Sequence, residues 1–163
     1  MIRLTGAAKS AFLAMTAAVV LATAPAEAAT RDFVGRWVNA DSGTSGMTRL
    51  IITRQGGGNL QVRGFGQCHP RDCDWGSTRL NLFAPNARAP LHRSARRGLA
   101  NFRAGFKRTT LTLTLVNANT MRFCTYNNFT DGSGRSDYFS CGTLKKRGRG
   151  RVRDHRRPGR HRR

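Results

Sequence analysis

Glutamate is absent from every position after Glu27, and the whole chain of 163 residues carries only eight acidic side chains. Acid–base chemistry in the body would have to rest on aspartates. Asp72 with Asp74, and Asp131 with Asp137, lie among turn residues, where such side chains fix the local backbone. Histidine is equally sparse before residue 145, with His69 and His92 alone, and His92 sits among Pro90, Arg93, Arg96 and Arg97. A nucleophile–base pair needs His with Ser or Cys, and the body offers only these two histidines for that role. The glycine run Gly56-Gly57-Gly58 joins two strand-like segments instead of opening a helix, so it is no phosphate cradle. Helical periodicity is nearly missing from residue 30 onward, which removes bundles and βαβ crossovers. These absences predict a non-enzymatic β protein with no cofactor and no metal.

An apolar run does exist near the start, from Ala11 to Ala24, behind Arg3 and Lys9. It is roughly 14 residues long, short of the ~20 needed to span a bilayer. Ala26-Glu27-Ala28 closes it with small residues at the positions a signal peptidase reads. Residues 1–28 are therefore expected to be a signal peptide cut after Ala28, with Ala26 as a second site. The protein is expected to be secreted or periplasmic.

Beyond that leader the chain reads as strands. Leu111, Leu113 and Leu115 alternate with Thr110, Thr112 and Thr114, a half-buried strand. Phe33 to Asn39, Met47 to Arg54, Leu60 to Phe65, Arg79 to Phe83, Leu99 to Phe106, Met121 to Asn127 and Asp137 to Leu144 complete about eight strands. Ala84 to Gly98, with two prolines, reads as a long loop with room for a short helix. The fold class is all-β: an antiparallel up-and-down barrel over residues 30–144, which removes its own edges by closing. A two-sheet sandwich is the alternative.

The opening Phe33-Val-Gly35-Arg-Trp37-Val-Asn39-Ala-Asp41 resembles the Gly-x-Trp start of lipocalin- and avidin-type barrels. That resemblance implies that Trp37 packs across one barrel end as a plug. Beyond Trp37 and Asn39 the avidins' biotin contacts have no counterpart, so biotin binding is not implied. Gly66-Gln-Cys68-His69-Pro70-Arg-Asp72-Cys73-Asp74-Trp75-Gly76, with Phe129-Thr-Asp131-Gly132-Ser133-Gly134-Arg135, resembles a family of bacterial secreted proteins carrying a Cys-His-Pro-x-Asp-Cys-Asp-Trp-Gly signature. It covers residues 33 to 144 and supports the fold without implying an activity. Gly35, Trp37, Asn39, Asp41, Asp74, Trp75 and Arg135 are accordingly expected to be structural, at the barrel ends.

Export permits disulfides, and the four cysteines are an even number. Cys124 and Cys141 stand equally far from the Gly132-Ser133 turn, so a simple hairpin sets them opposite each other. Cys68 and Cys73 enclose a small loop containing Pro70. The expected bridges are 68–73 and 124–141, with the other two connectivities still open. A zinc site from Cys68, His69 and Cys73 beside Asp72 and Asp74 is the rival reading, although the spacing is not that of a finger.

Charge changes abruptly after Leu144. Lys145, Lys146, Arg147, Arg149, Arg151, Arg153, Arg156, Arg157, Arg160, Arg162 and Arg163 face only Asp154, so residues 145–163 carry +10 of the total +21. With Val152 its sole aliphatic residue, this segment is expected to be a disordered basic tail. Arginines bind phosphate or sulfate groups bidentately and with strong salt dependence. Lipopolysaccharide, anionic phospholipid, acidic polysaccharide and non-specific nucleic acid are the candidate partners; Arg88, Arg93, Arg96 and Arg97 extend the patch. Without interleaved aromatics, base stacking is not suggested. The sequence thus points to an exported binding barrel with a polyanion-seeking arm and a mouth open to a small ligand or protein. An inhibitor of a secreted hydrolase and a cationic membrane-active factor are the competing classes.

Overall fold

In an extended chain, the Leu111-Leu113-Leu115 spacing sends all three leucines to one side of the sheet and the threonines to the other. The computed structural model describes residues 30–148 and buries those leucines inside a closed sheet. Its strands are β1 (Gly35–Asn39), β2 (Met47–Arg54), β3 (Leu60–Gly66), β4 (Cys73–Phe83), β5 (Arg97–Ala104), β6 (Lys107–Asn117), β7 (Thr120–Phe129) and β8 (Tyr138–Arg147). Each pairs antiparallel with its neighbours in sequence, and β1 pairs with β8 to close the ring. The eight-stranded up-and-down barrel is thus the observed fold. Two single-turn α-helices accompany it, α1 (Thr30–Phe33) and, inside the long loop, α2 (Leu91–Ser94), with a 3-10 turn at Gly56–Gly58. The expected leader lies outside the described residues, as does the tail from Arg149 onward.

Apolar side chains point inward, among them Trp37, Leu50, Ile52, Val62, Leu111 and Met121, all essentially unexposed. Outward positions such as Arg108, Thr114, Arg122 and Lys145 are exposed. This is the reverse of the apolar-out pattern of a lipid-facing barrel. Among the described residues no helix is long and apolar enough to cross a membrane. Interior glycines make room for large partners: a Cβ at Gly142 would lie 2.8 Å from the Phe123 ring, and one at Gly98 would lie 2.9 Å from Leu80 Cδ1.

One end of the barrel is shut. Trp37 is fully buried, and its Nε1 donates to the Phe33 carbonyl at 2.7 Å, which ties α1 across that end. Thr30 Oγ1 donates to the His92 carbonyl at 3.2 Å, so the α2 loop closes the same end. The tryptophan plug implied by the Gly-x-Trp opening is present; the helical turn before it, read as the start of a strand, is new.

Two of the boundaries that differ from the sequence reading bear on function. β4 begins at Cys73, not Arg79, because Gly76 (φ 79°) and a register shift opposite Arg63 and Phe65 interrupt the strict alternation. β8 runs to Arg147, three residues past the expected edge of the body, because Lys145, Lys146 and Arg147 pair with Val38, Trp37 and Arg36. The first part of the charge run is barrel wall.

Candidate functional site

The apolar filling stops short of the other end. There the inward positions turn polar: Thr109 on β6 and Thr125 and Asn127 on β7 are almost fully buried. Thr109 Oγ1 donates to Asn127 Oδ1 at 2.8 Å, and Asn127 Nδ2 donates weakly to Thr125 Oγ1 at 3.4 Å. Thr125 Oγ1 in turn donates to the Ser140 carbonyl at 3.3 Å. Among the described residues no buried side-chain nitrogen or oxygen lacks a partner, so the chain forms a satisfied polar floor. Thr109 also lines a cleft of about 290 Å³ at this open mouth, walled by Trp75, Phe102, Phe106, Lys107, Tyr138 and the Cys68–Cys73 bridge.

Trp75 owes its position to two inward glycines on β3. A Cβ at Gly64 would lie 2.8 Å from Trp75 Cε3 and 3.1 Å from Phe102 Cζ, and one at Gly66 would lie 2.8 Å from Trp75 Nε1. Trp75 meets Phe102 edge to face, with centroids 5.7 Å apart. Gly64→Ala is therefore expected to push the indole outward, at about 1–3 kcal/mol of stability. A red-shifted tryptophan emission in the folded variant, with a lower urea midpoint, would show it; unaltered emission would contradict the packing argument.

Lys107 shares the inward face of β6 with Thr109 and reaches into the mouth. Its Nζ lies 5.0 Å from the Trp75 ring centroid and 5.9 Å from that of Phe106. Among the described residues it makes no ion pair. Burial pushes its pKa down, and the nearby Arg135 guanidinium adds to the effect. Arg135 itself is paired with Asp131 at 2.5 Å and lies 4.0 Å over Phe129 and 5.3 Å over Phe106. The cleft thus joins apolar walls to an ammonium that no described carboxylate neutralises.

The remaining mouth residues are braces. Asp74 pairs with Arg63 and accepts from the Gly76 amide at 2.9 Å, and the Arg63 hydrogen bond holds its carboxyl below the usual range. Asp72 accepts from Thr48 Oγ1 at 2.8 Å and from Arg49 at 2.6 Å, so it grips side chains of β2 instead of its own turn. The two guanidiniums enclose Phe65, at 3.9 Å for Arg49 and 5.4 Å for Arg63. Asn39 Nδ2 donates to the Met47 carbonyl at 2.8 Å, while its Oδ1 accepts from the Asp41 amide at 3.0 Å. Asp41 Oδ1 accepts from Gly43 at 2.9 Å, which completes the β1–β2 turn. Both expected disulfides form: Cys68–Cys73 at the mouth and Cys124–Cys141 as a directly opposed β7–β8 pair. The two thiols of the rival zinc reading are thereby bonded to each other.

The shut end carries exposed cations of its own. Arg147 stands opposite Arg36 and Lys145 opposite Val38; Arg36, Lys145 and Arg147 are exposed and, among the described residues, make no ion pair. Like charges facing each other across a ladder repel. Lys146 corrects the expectation that all three strand cations are open to a polyanion. Alternation turns it inward beside Gly35 (φ 141°), where a Cβ would lie 2.8 Å from Lys146 Cε. Its Nζ donates to the Asp32 carbonyl at 2.8 Å and lies 5.0 Å from the Trp37 ring, and burial lowers its pKa. Arg149, Arg151, Arg153, Arg156, Arg157, Arg160, Arg162 and Arg163 lie outside the described residues. Exposed Arg93 and Arg97 sit at the same shut end as the strand cations.

Sequence reasoning missed Lys107, Thr109 and Asn127. Their signal was present: Lys107 and Thr109 continue the odd-numbered face of Leu111, and Asn127 continues that of Phe123. Polar residues on an inward face mark where a barrel stops being filled. The chain matches no protein-family model, no curated protein and no solved structure.

Proposed function

We propose that this protein is an exported, non-enzymatic binding barrel, tethered to anionic surfaces or polyanions by one end and open to a small ligand at the other. The observation that carries this reading is the placement of the β8 cations at the end of the barrel away from the cleft. The exposed Arg36, Lys145 and Arg147 lie at the shut end, where β8 hands over to the basic segment, while the cleft beside Trp75 lies at the opposite end. A tether on the first end leaves the second free. Support for export comes from the two disulfides, which persist in oxidising compartments. Support for a binding role comes from the aromatic-walled cleft of about 290 Å³ at the open mouth.

Heparin chromatography tests the tether. The full chain should elute late, with retention falling steeply with salt as counterions are released. Deleting residues 149–163 should lower the retention, and adding Arg36→Ser, Lys145→Ser and Arg147→Ser should lower it further. Lys146→Ser should lower stability instead, since its ammonium is engaged with Asp32 and Trp37. Retention unchanged by the deletion and the three outward substitutions together would overturn the tether.

A further inference from the structure

The open-mouth cleft combines three features on which small-molecule recognition depends. Its walls are Trp75, Phe102 and Phe106, Thr109 lines it with its hydroxyl satisfied by Asn127, and Lys107 projects into it. At about 290 Å³ it sits at the small end of the ligand-pocket range, with room for one or two fused rings and not for a long chain. A half-buried ammonium held over aromatic faces has given up part of its hydration without gaining a counter-charge. Arg135 beside it is a second cation, and Asp131 is already paired with that guanidinium. Asp74, the carboxylate lining the cleft, is taken by Arg63 on the outer wall.

We infer that the mouth binds small aromatic monoanions, with the carboxylate or sulfonate on Lys107 and the rings against Trp75, Phe102 and Phe106. This rests on the reading of the mouth as a ligand site, and it adds the chemical class. An aromatic body matches the walls, and a single negative charge matches the Lys107 ammonium. A neutral aromatic of equal shape gains the walls but leaves Lys107 uncompensated, so it should bind more weakly. A dianion finds no second free cation among the described residues that line the cleft.

Calorimetric titration of the full chain with 2-naphthoate and with its neutral isostere 2-naphthamide tests the assignment. The naphthoate should bind about tenfold more tightly than the amide, the order expected of one charge-assisted contact. Lys107→Gln should abolish that difference by weakening naphthoate alone, and Lys107→Arg should restore most of it. The glutamine variant should melt no lower than the parent, because it removes a desolvated cation and not a structural contact. Naphthoate binding that survives Lys107→Gln unchanged would place the ion on the basic exterior and overturn the inference. Equal affinity of the parent for naphthoate and amide would reject the anionic class while keeping the mouth as a ligand site. Failure of both probes to bind the parent would remove the ligand site itself, leaving the tether to stand on its own test.

Discussion

Replacing Trp37 by alanine should cost about 3–5 kcal/mol, the range for truncating a fully buried large aromatic. For a domain of this size that is a fall in Tm on the order of 10–20 °C. Three losses combine in this variant. The ring is fully buried, its Nε1 satisfies the Phe33 carbonyl at 2.7 Å, and its face lies 5.0 Å from the Lys146 ammonium. Trp37→Phe separates them: it keeps an aromatic beside Lys146 and gives up the donor, so it should cost distinctly less than the alanine. Thermal melts followed by far-ultraviolet circular dichroism would rank the two variants. An alanine variant with a melting temperature indistinguishable from the parent's would mean that the shut end is held by something other than this plug.

Removing the Cys124–Cys141 bridge, by alanine at both positions, is expected to cost about 3 kcal/mol through the freed conformations of the unfolded chain. Those two positions are 17 residues apart and enclose the whole β7–β8 connection. The Cys68–Cys73 bridge spans only five residues, so its removal should cost about 1 kcal/mol less by the same loop-length argument. Urea titrations of the two double variants would measure the order. Asp137 already clamps the β7–β8 hairpin, accepting from the Phe129 amide at 2.8 Å and from Asn128 Nδ2 at 2.5 Å. If the 124–141 variant unfolded at the parental midpoint, that clamp would be sufficient without the covalent link.

Much of this fold could be read from the chain alone because barrel strands obey a two-residue period. Where the period holds, as at Leu111-Leu113-Leu115, the strand and its buried face were both legible. It fails at β4, where Gly76 takes a positive φ and the register shifts, so that Cys73 to Thr78 looked like a loop although it is wall. It was obscured at β8, where charge marked Lys145 to Arg147 as tail. Charge reports solubility; pairing with β1 decided the structure. The mouth was harder to foresee. The inward polar positions of Lys107, Thr109 and Asn127 mark where filling stops, but the cleft itself arises only when distant strands curl Phe102, Thr109 and Trp75 around the same opening.

The pairing of Arg36 with Arg147 has a temporal consequence. The first strand finds its second partner only when nearly the last described residue has been made, so every shorter product is a ribbon with two naked borders. Such borders recruit foreign strands, and pairings this remote in sequence form slowly. Once the chain is complete, the two arginines set like charge against like charge at the β1–β8 seam, which weakens pairing there between copies as well as within one chain.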